Sequence, residues 1–261
     1  MIVVHTGDES LRLITQPGHA YGAGQLAAQW DRPRALPPAI WPRFLEAVAR
    51  HDDGWCELEQ CPALDEQGRP HTFKTLPTHQ HIQVWRHGIE TLAQEDPYIG
   101  LLLALHARWL YTQVARNEEP EAEAAVEQFR DWLDQRVDAL VDRLSAGSED
   151  ERRAVEPHNL DLARRLLGFF DMLSLVLLGA LPINDWPEPL PFGDREQTLR
   201  FSIDQTRRGT LDPWPFVEPR VTARFASYEL RQQTFPSGEV LGTFLRRLPG
   251  RTIVCRLQKG I

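Results

Sequence analysis

The sequence predicts an α+β protein: a mainly helical core over residues 1–182 with an N-terminal β-hairpin, and a small antiparallel β-appendage over 183–261. Three observations predict it. Apolar residues recur at helical spacing through most of the stretch 19–181. Two apolar runs, "MIVV" and "LRLIT", flank the turn-like "HTGDES". Beyond Pro182 prolines multiply, and short strand-like runs replace the helical period.

Taken in order, residues 1–15 read as the hairpin, ended by Pro17-Gly18. "HAYGAGQLAAQW" has helical spacing despite its glycines, and "PPAIWPRFLEAVARH" opens with prolines suited to a helix start. Residues 53–79 hold Gly54, Pro62, Gly68, Pro70 and Pro77 and read as a long ordered loop, a feature that usually serves function. Helices resume with "HIQVWRHGIETLAQ" and with "PYIGLLLALHARWLYTQVA", which Asp96-Pro97 opens. The acidic "NEEPEAEAAVEQFRDWLDQRVDALVDRL" is amphipathic and reads as a solvated outer helix ending at Gly147. "NLDLARRLLGFFDMLSLVLLGAL" is the most apolar segment; its uncharged run is short for a membrane span and contains an acid, so it reads as a buried central helix. "LPINDWPEPLPFGD" reads as a crossover, and "TLRFSID", "VTARFASYEL", "VLGTFLRRL" and "TIVCRL" as strands.

The 261 residues carry 37 acids against 29 bases, a formal charge of −8, and no basic run interrupts them. That balance disfavours nucleic-acid polymers and anionic membranes as partners. Cys56, Cys61 and Cys255 make neither a disulfide framework nor a zinc pattern, since C-x4-C stands without a second pair. The N-terminus turns polar too early for a signal peptide, so a cytoplasmic protein is expected.

Candidate functional residues come from helix faces. His51 shares a face with Ile40, Phe44, Ala47 and Val48; His19 with Ala23, Leu26, Ala27 and Trp30; His106 with Ile99, Leu102, Trp109 and Leu110. Three helices thus each aim a histidine inward. In "LLGFFDMLSLVLLGAL" only Asp171 and Ser174 are polar, and a lone ionised carboxylate there would cost several kcal/mol unless protonated, paired or bound to a cation. Each of these residues alone has an ordinary structural explanation. Together with Asp52 they place nitrogen and carboxylate ligands on four helices that share one core, a donor set suited to Mn, Fe, Zn or Mg.

His19, the pair His51-Asp52 and the late Asp171 make an H…HD…D order that resembles the HD-domain superfamily of helical metal-dependent enzymes, mostly phosphohydrolases. "QPGHAYGAGQLAAQW", "HDDGW" and "DMLSL" are also similar to a bacterial family described as a domain of unknown function. The first resemblance implies an HD-like helical core over about 16–181. It implies a divalent transition metal held by His19, His51, Asp52 and Asp171, with Asp52 and His106 as catalytic residues. His106, His79 or His81 would be candidates for a second metal, and Asp53 and Trp55 would border the substrate; His71 and His87 read as surface or loop histidines. The implied activity is hydrolysis of a phosphoester of a small metabolite or nucleotide, with a homo-oligomer left open. Two alternatives accompany it, a di-iron oxygenase on the same scaffold and a non-catalytic metal- or ligand-binding module. "GAGQLA" fits G-x-G-x-x-A, but a Pro-Gly-His break precedes it and the next element reads as helical with no strand, so its glycines read as permitting close helix packing beside His19.

Overall fold

The computed structural model describes residues 1–5, 10–113, 120–183, 185–192, 195–204 and 206–259. The centre of the expected hairpin turn, the end of the "PYIG" helix and the start of the acidic helix therefore lie outside the described residues. The strands are β1 (Ile2–His5), β2 (Leu11–Ile14), β3 (Asp185–Phe192), β4 (Arg195–Ile203), β5 (Arg208–Asp212), β6 (Arg220–Leu230) and β7 (Arg251–Lys259). The helices are α1 (Gln16–Ala27), α2 (Trp41–Arg50), α3 (Cys56–Gln60), α4 (Thr78–Glu95), α5 (Pro97–Gln113), α6 (Pro120–Ser145), α7 (Glu149–Ala154), α8 (Pro157–Leu178) and α9 (Gly238–Arg247).

The expected fold class, a helical HD-like core with a small antiparallel appendage, is corrected by the sheet. Among the described residues seven strands join in one curled sheet of order β1-β2-β6-β7-β5-β4-β3, and 22% of the residues are strand against 52% helix. The N-terminal hairpin is one edge of this sheet, because Leu11 and Leu13 of β2 pair with Leu230 and Tyr228 of β6. The pairing is not purely antiparallel either, since β5 runs parallel to β7. An all-α core is thereby excluded.

Two elements after residue 182 differ from expectation for local reasons. The Pro-rich stretch is β3, an edge strand of the sheet, where prolines remove no ladder hydrogen bond on the open side. It buries Trp186 and Leu190. "VLGTFLRRL" is helix α9. Ser237 caps it by accepting from the Val240 N–H, and Leu241 and Leu245 pack inward one turn apart. The expected loop 53–79 contains a 3-10 turn at Asp53–Trp55 and the short α3.

Helix packing positions the site. Gly22 of α1 faces β6 so closely that a Cβ would stand 2.1 Å from the Phe225 ring, and one on Gly24 would stand 2.6 Å from Ala49 Cβ of α2. The glycines of "GAGQLA" thus let α1 pack against both the sheet and α2. Helix α8 runs through the centre, with sixteen buried residues, among them Phe169 and Phe170, which meet Trp30 edge-on. Among the described residues no helix is long and apolar enough to cross a membrane.

Candidate metal centre

Each polar residue reaches the interior by local geometry. His19 lies on the first turn of α1, which Thr15 caps. His51 ends α2 with still-helical backbone angles of −58° and −22°, and the chain then breaks at Asp52, with φ −109° and ψ 17°. That change of direction brings two successive side chains to one point. Asp171 and Ser174 lie one turn apart on α8, and His106 lies on α5. Five of these residues are nearly sealed from solvent: His19, His51, Asp52, His106 and Asp171 are each 0–6% exposed.

Their polar atoms face one another. His19 Nε2 is 2.8 Å from Asp52 Oδ2 and 3.7 Å from Asp171 Oδ1. His51 Nε2 is 3.6 Å from Asp52 Oδ2 and 3.5 Å from Asp171 Oδ1, and it makes no hydrogen bond. His106 Nε2 stands 3.3 Å from the other oxygen, Asp171 Oδ2, without the alignment of a hydrogen bond. His19, His51 and Asp171 each place one ligand atom within 4.8 Å of the other two.

The opposite ring nitrogens decide what this convergence means. Ser174 Oγ donates its only proton to the Asp171 carbonyl, 2.7 Å away, so toward His19 Nδ1, at 2.8 Å, it accepts. His51 Nδ1 donates to the Val48 carbonyl at 2.8 Å, an atom that only accepts. Both imidazoles therefore carry a proton on Nδ1 and turn Nε2 toward two carboxylate oxygens. His19 Nε2 shares a hydrogen bond with Asp52 Oδ2, whereas His51 Nε2 and the two carboxylates crowd one buried point that calls for a cation, proton or metal, among them. Metal-ligating histidines are held in this way, by a donor bond from the far nitrogen. Ligands about 2.1 Å from a shared ion stand roughly 3.0–3.5 Å apart, close to the His51 spacings here. His19, His51 and Asp171 could hold a metal ion.

The protonation equilibria have the same cause. Burial alone would lower the His51 pKa, but the charges of Asp52 and Asp171 raise it to about 9. Burial would push Asp171 up, yet His106 and His51 beside it hold its carboxyl far below the usual range; Asp52 is likewise held low by His51 and His19. His106 goes the other way: burial outweighs Asp171 and keeps its imidazole neutral.

The cluster forms the floor of an open cavity of about 1540 Å³. His51, Asp52, His106 and Asp171 line it, whereas His19 lies behind them. Of the remaining sequence candidates, Trp55 lines the cavity, 2% exposed, with its ring edge-on to His81 at 5.6 Å. His81 lines it too, buried and 2.7 Å from the Tyr111 hydroxyl through Nδ1, and His79 sits exposed on its wall. Asp53 is turned to Arg50, whose Nε is 2.7 Å from it, and does not line the cavity. Trp85, Tyr111 and Lys74 were not singled out by the sequence. Trp85 had a signal, four residues after His81 on one helix face, but Lys74 lies in irregular chain where periodicity is silent.

A family model described as "Protein of unknown function (DUF3891)" matches residues 1–232. The chain belongs to the DUF3891 family. The match spans every residue of the His/Asp cluster and the whole cavity, and stops after β6, before α9 and β7. No curated protein and no solved structure matches this DUF3891 chain.

Proposed function

We propose that this protein is a metal-dependent hydrolase that cleaves a phosphoester of a small molecule. The observation that carries the reading is the convergence of His19 Nε2 and His51 Nε2 on Asp52 and Asp171 at a cavity floor. The H…HD…D order, which resembles HD-type phosphohydrolases, supports it from the sequence side. His19, His51, Asp52 and Asp171 would hold the ion. When bound, a divalent metal there supplies a Lewis acid that lowers the pKa of a water and polarises a phosphoryl oxygen.

The chain's own residues do the rest. His106, neutral and with both ring nitrogens free of protein hydrogen bonds, borders the floor beside Asp171 and can move a proton in either direction. In the proposed reaction, water adds to phosphorus and the P–O bond to the alcohol breaks. His106 takes the water's proton and returns it to the leaving oxygen. Asp52 and Asp171 orient the water, and the Lys74 ammonium on the cavity wall draws in the anion.

His106 also favours a second reading, a dinuclear centre of the di-iron oxygenase kind, because it faces the Asp171 oxygen that His51 does not. Metal analysis of the purified protein decides between them. One divalent ion per chain, lost in Asp171→Asn, together with phosphomonoester turnover abolished by Asp52→Ala, is expected. Two irons per chain would favour the oxygenase. A protein that takes up no Mn, Fe, Zn or Mg would overturn both.

A further inference from the structure

The cavity above the cluster is poorly suited to a polyanion. Lys74 is the only Lys or Arg among the described residues that line it, and its ammonium already donates to the Ala180 carbonyl at 3.2 Å. Against it stand the exposed carboxylates of Glu121 and Glu123 on α6. A nucleoside triphosphate would bring about four negative charges past those two carboxylates, and like charges in a confined mouth raise its potential against entry.

The walls next to the floor are of another kind. Trp109 is half-buried on α5 and stacks on His106, with ring centroids 5.9 Å apart and planes at 24°. Met172 and Leu175 follow Asp171 on α8 and line the same space. Trp85 is 5% exposed, and its ring lies edge-on to that of His106 at 5.8 Å. Its indole N–H is buried without any hydrogen-bond partner, and the residue lines the cavity. A buried N–H left unpaired costs free energy, and among the described residues none supplies its acceptor.

We infer that the cavity selects a monophosphate ester of an aromatic or aliphatic alcohol, with the phosphate at the His/Asp floor, the ester body against Trp109, Met172 and Leu175, and the Trp85 N–H as a donor to the bound molecule. Nucleoside di- and triphosphates are rejected. This specificity rests on the hydrolase reading above, and its test separates the two.

The full-length protein is loaded with Mn2+ and titrated calorimetrically with inorganic phosphate, 1-naphthyl phosphate and ATP. Naphthyl phosphate is expected to bind at least tenfold more tightly than phosphate, with ATP no tighter than phosphate. Trp109→Ala or, as a gentler change, Met172→Gln weakens naphthyl phosphate far more than inorganic phosphate and so removes most of the tenfold preference. Trp85→Phe, which keeps an aromatic ring and deletes the N–H, weakens naphthyl phosphate several-fold. ATP binding more tightly than naphthyl phosphate, or naphthyl phosphate binding no better than phosphate, overturns the inference.

A fourth titration, 1-naphthol into chelator-treated protein, reads the walls without the metal. Naphthol binding in a protein that takes up neither Mn2+ nor phosphate sinks the hydrolase reading and supports the apolar pocket. Phosphate binding to the loaded protein with no naphthol binding sinks the pocket inference alone.

Discussion

Ser174 Oγ lies 2.8 Å from His19 Nδ1, and because its own proton goes to the Asp171 carbonyl, it holds the imidazole with Nε2 toward Asp52. A hydroxyl on one helix thus sets the tautomer of a histidine on another. Ser174→Ala removes that acceptor and leaves His19 free to rotate or to exchange tautomers. Metal affinity is expected to fall tenfold to a hundredfold, the usual cost of deleting such an orienting partner. Competition against a chelating dye measures it; an unchanged affinity would show that Ser174 is only packed there.

Metal removal tests the cluster from the other side. A ligand that binds the folded chain and not the unfolded one raises the melting temperature as its concentration rises. Adding Mn2+ or Zn2+ to chelator-treated protein is expected to raise the melting temperature of the native chain. His51→Ala should show no rise, since it loses the Nε2 that faces both carboxylates.

Gly22→Ala is expected to destabilise the protein by about 1–3 kcal/mol, as overpacking does in tight interiors. The added methyl would stand 2.1 Å from the Phe225 ring, so α1 or β6 must shift. Because His19 is on α1 three residues earlier, the same variant should also bind metal more weakly. Urea unfolding and the dye competition read the two effects separately.

The three thiols should sort by burial. Cys56 and Cys61 are exposed, whereas Cys255 is buried on β7 and burial pushes its pKa up to about 12. A thiol reagent at pH 8 is expected to modify two cysteines in the native protein and the third only on unfolding. Folding raises the Cys255 pKa above that of the unfolded chain, so its contribution to stability is complete below the ordinary thiol range and is lost as pH climbs toward 12. Rapid modification of all three native thiols would contradict the burial.

Ser237→Ala probes the helix that replaced an expected strand. Loss of the bond from the Val240 N–H should cost about 1 kcal/mol, typical of a helix N-cap. Denaturation midpoints measure this, and metal affinity should stay unchanged, because α9 contributes nothing to the cavity walls.

Much of the cluster was legible before the fold was known. The inward faces of His19, His51, His106 and Asp171 follow from helical period, which is a local property of the chain. The sheet was not legible. Strand β2 pairs with β6 across 217 residues, and no local pattern in "LRLIT" names its partner. "VLGTFLRRL" is short enough to suit either period; the cap at Ser237 and burial of Leu241 and Leu245 decided for helix. "LPINDWPEPLPFGD" hid a strand, because prolines at an edge cost little that they would cost in the middle of a sheet.

The sequence by itself determined which polar side chains would be driven inward, since apolar neighbours at helical spacing leave them nowhere else to go. Only the tertiary structure decided which ring nitrogen each histidine offers. That choice depends on Ser174 and on the Val48 carbonyl, hydrogen-bond partners set by the packing of α1 on α8 and by the last turn of α2. Tertiary structure also decided that the hairpin and the C-terminal strands form one sheet and that Trp85 and Trp109 wall the cavity. The physical reason is range: burial follows from a residue's immediate neighbours, while strand pairing and tautomer follow from contacts that exist only after distant segments meet.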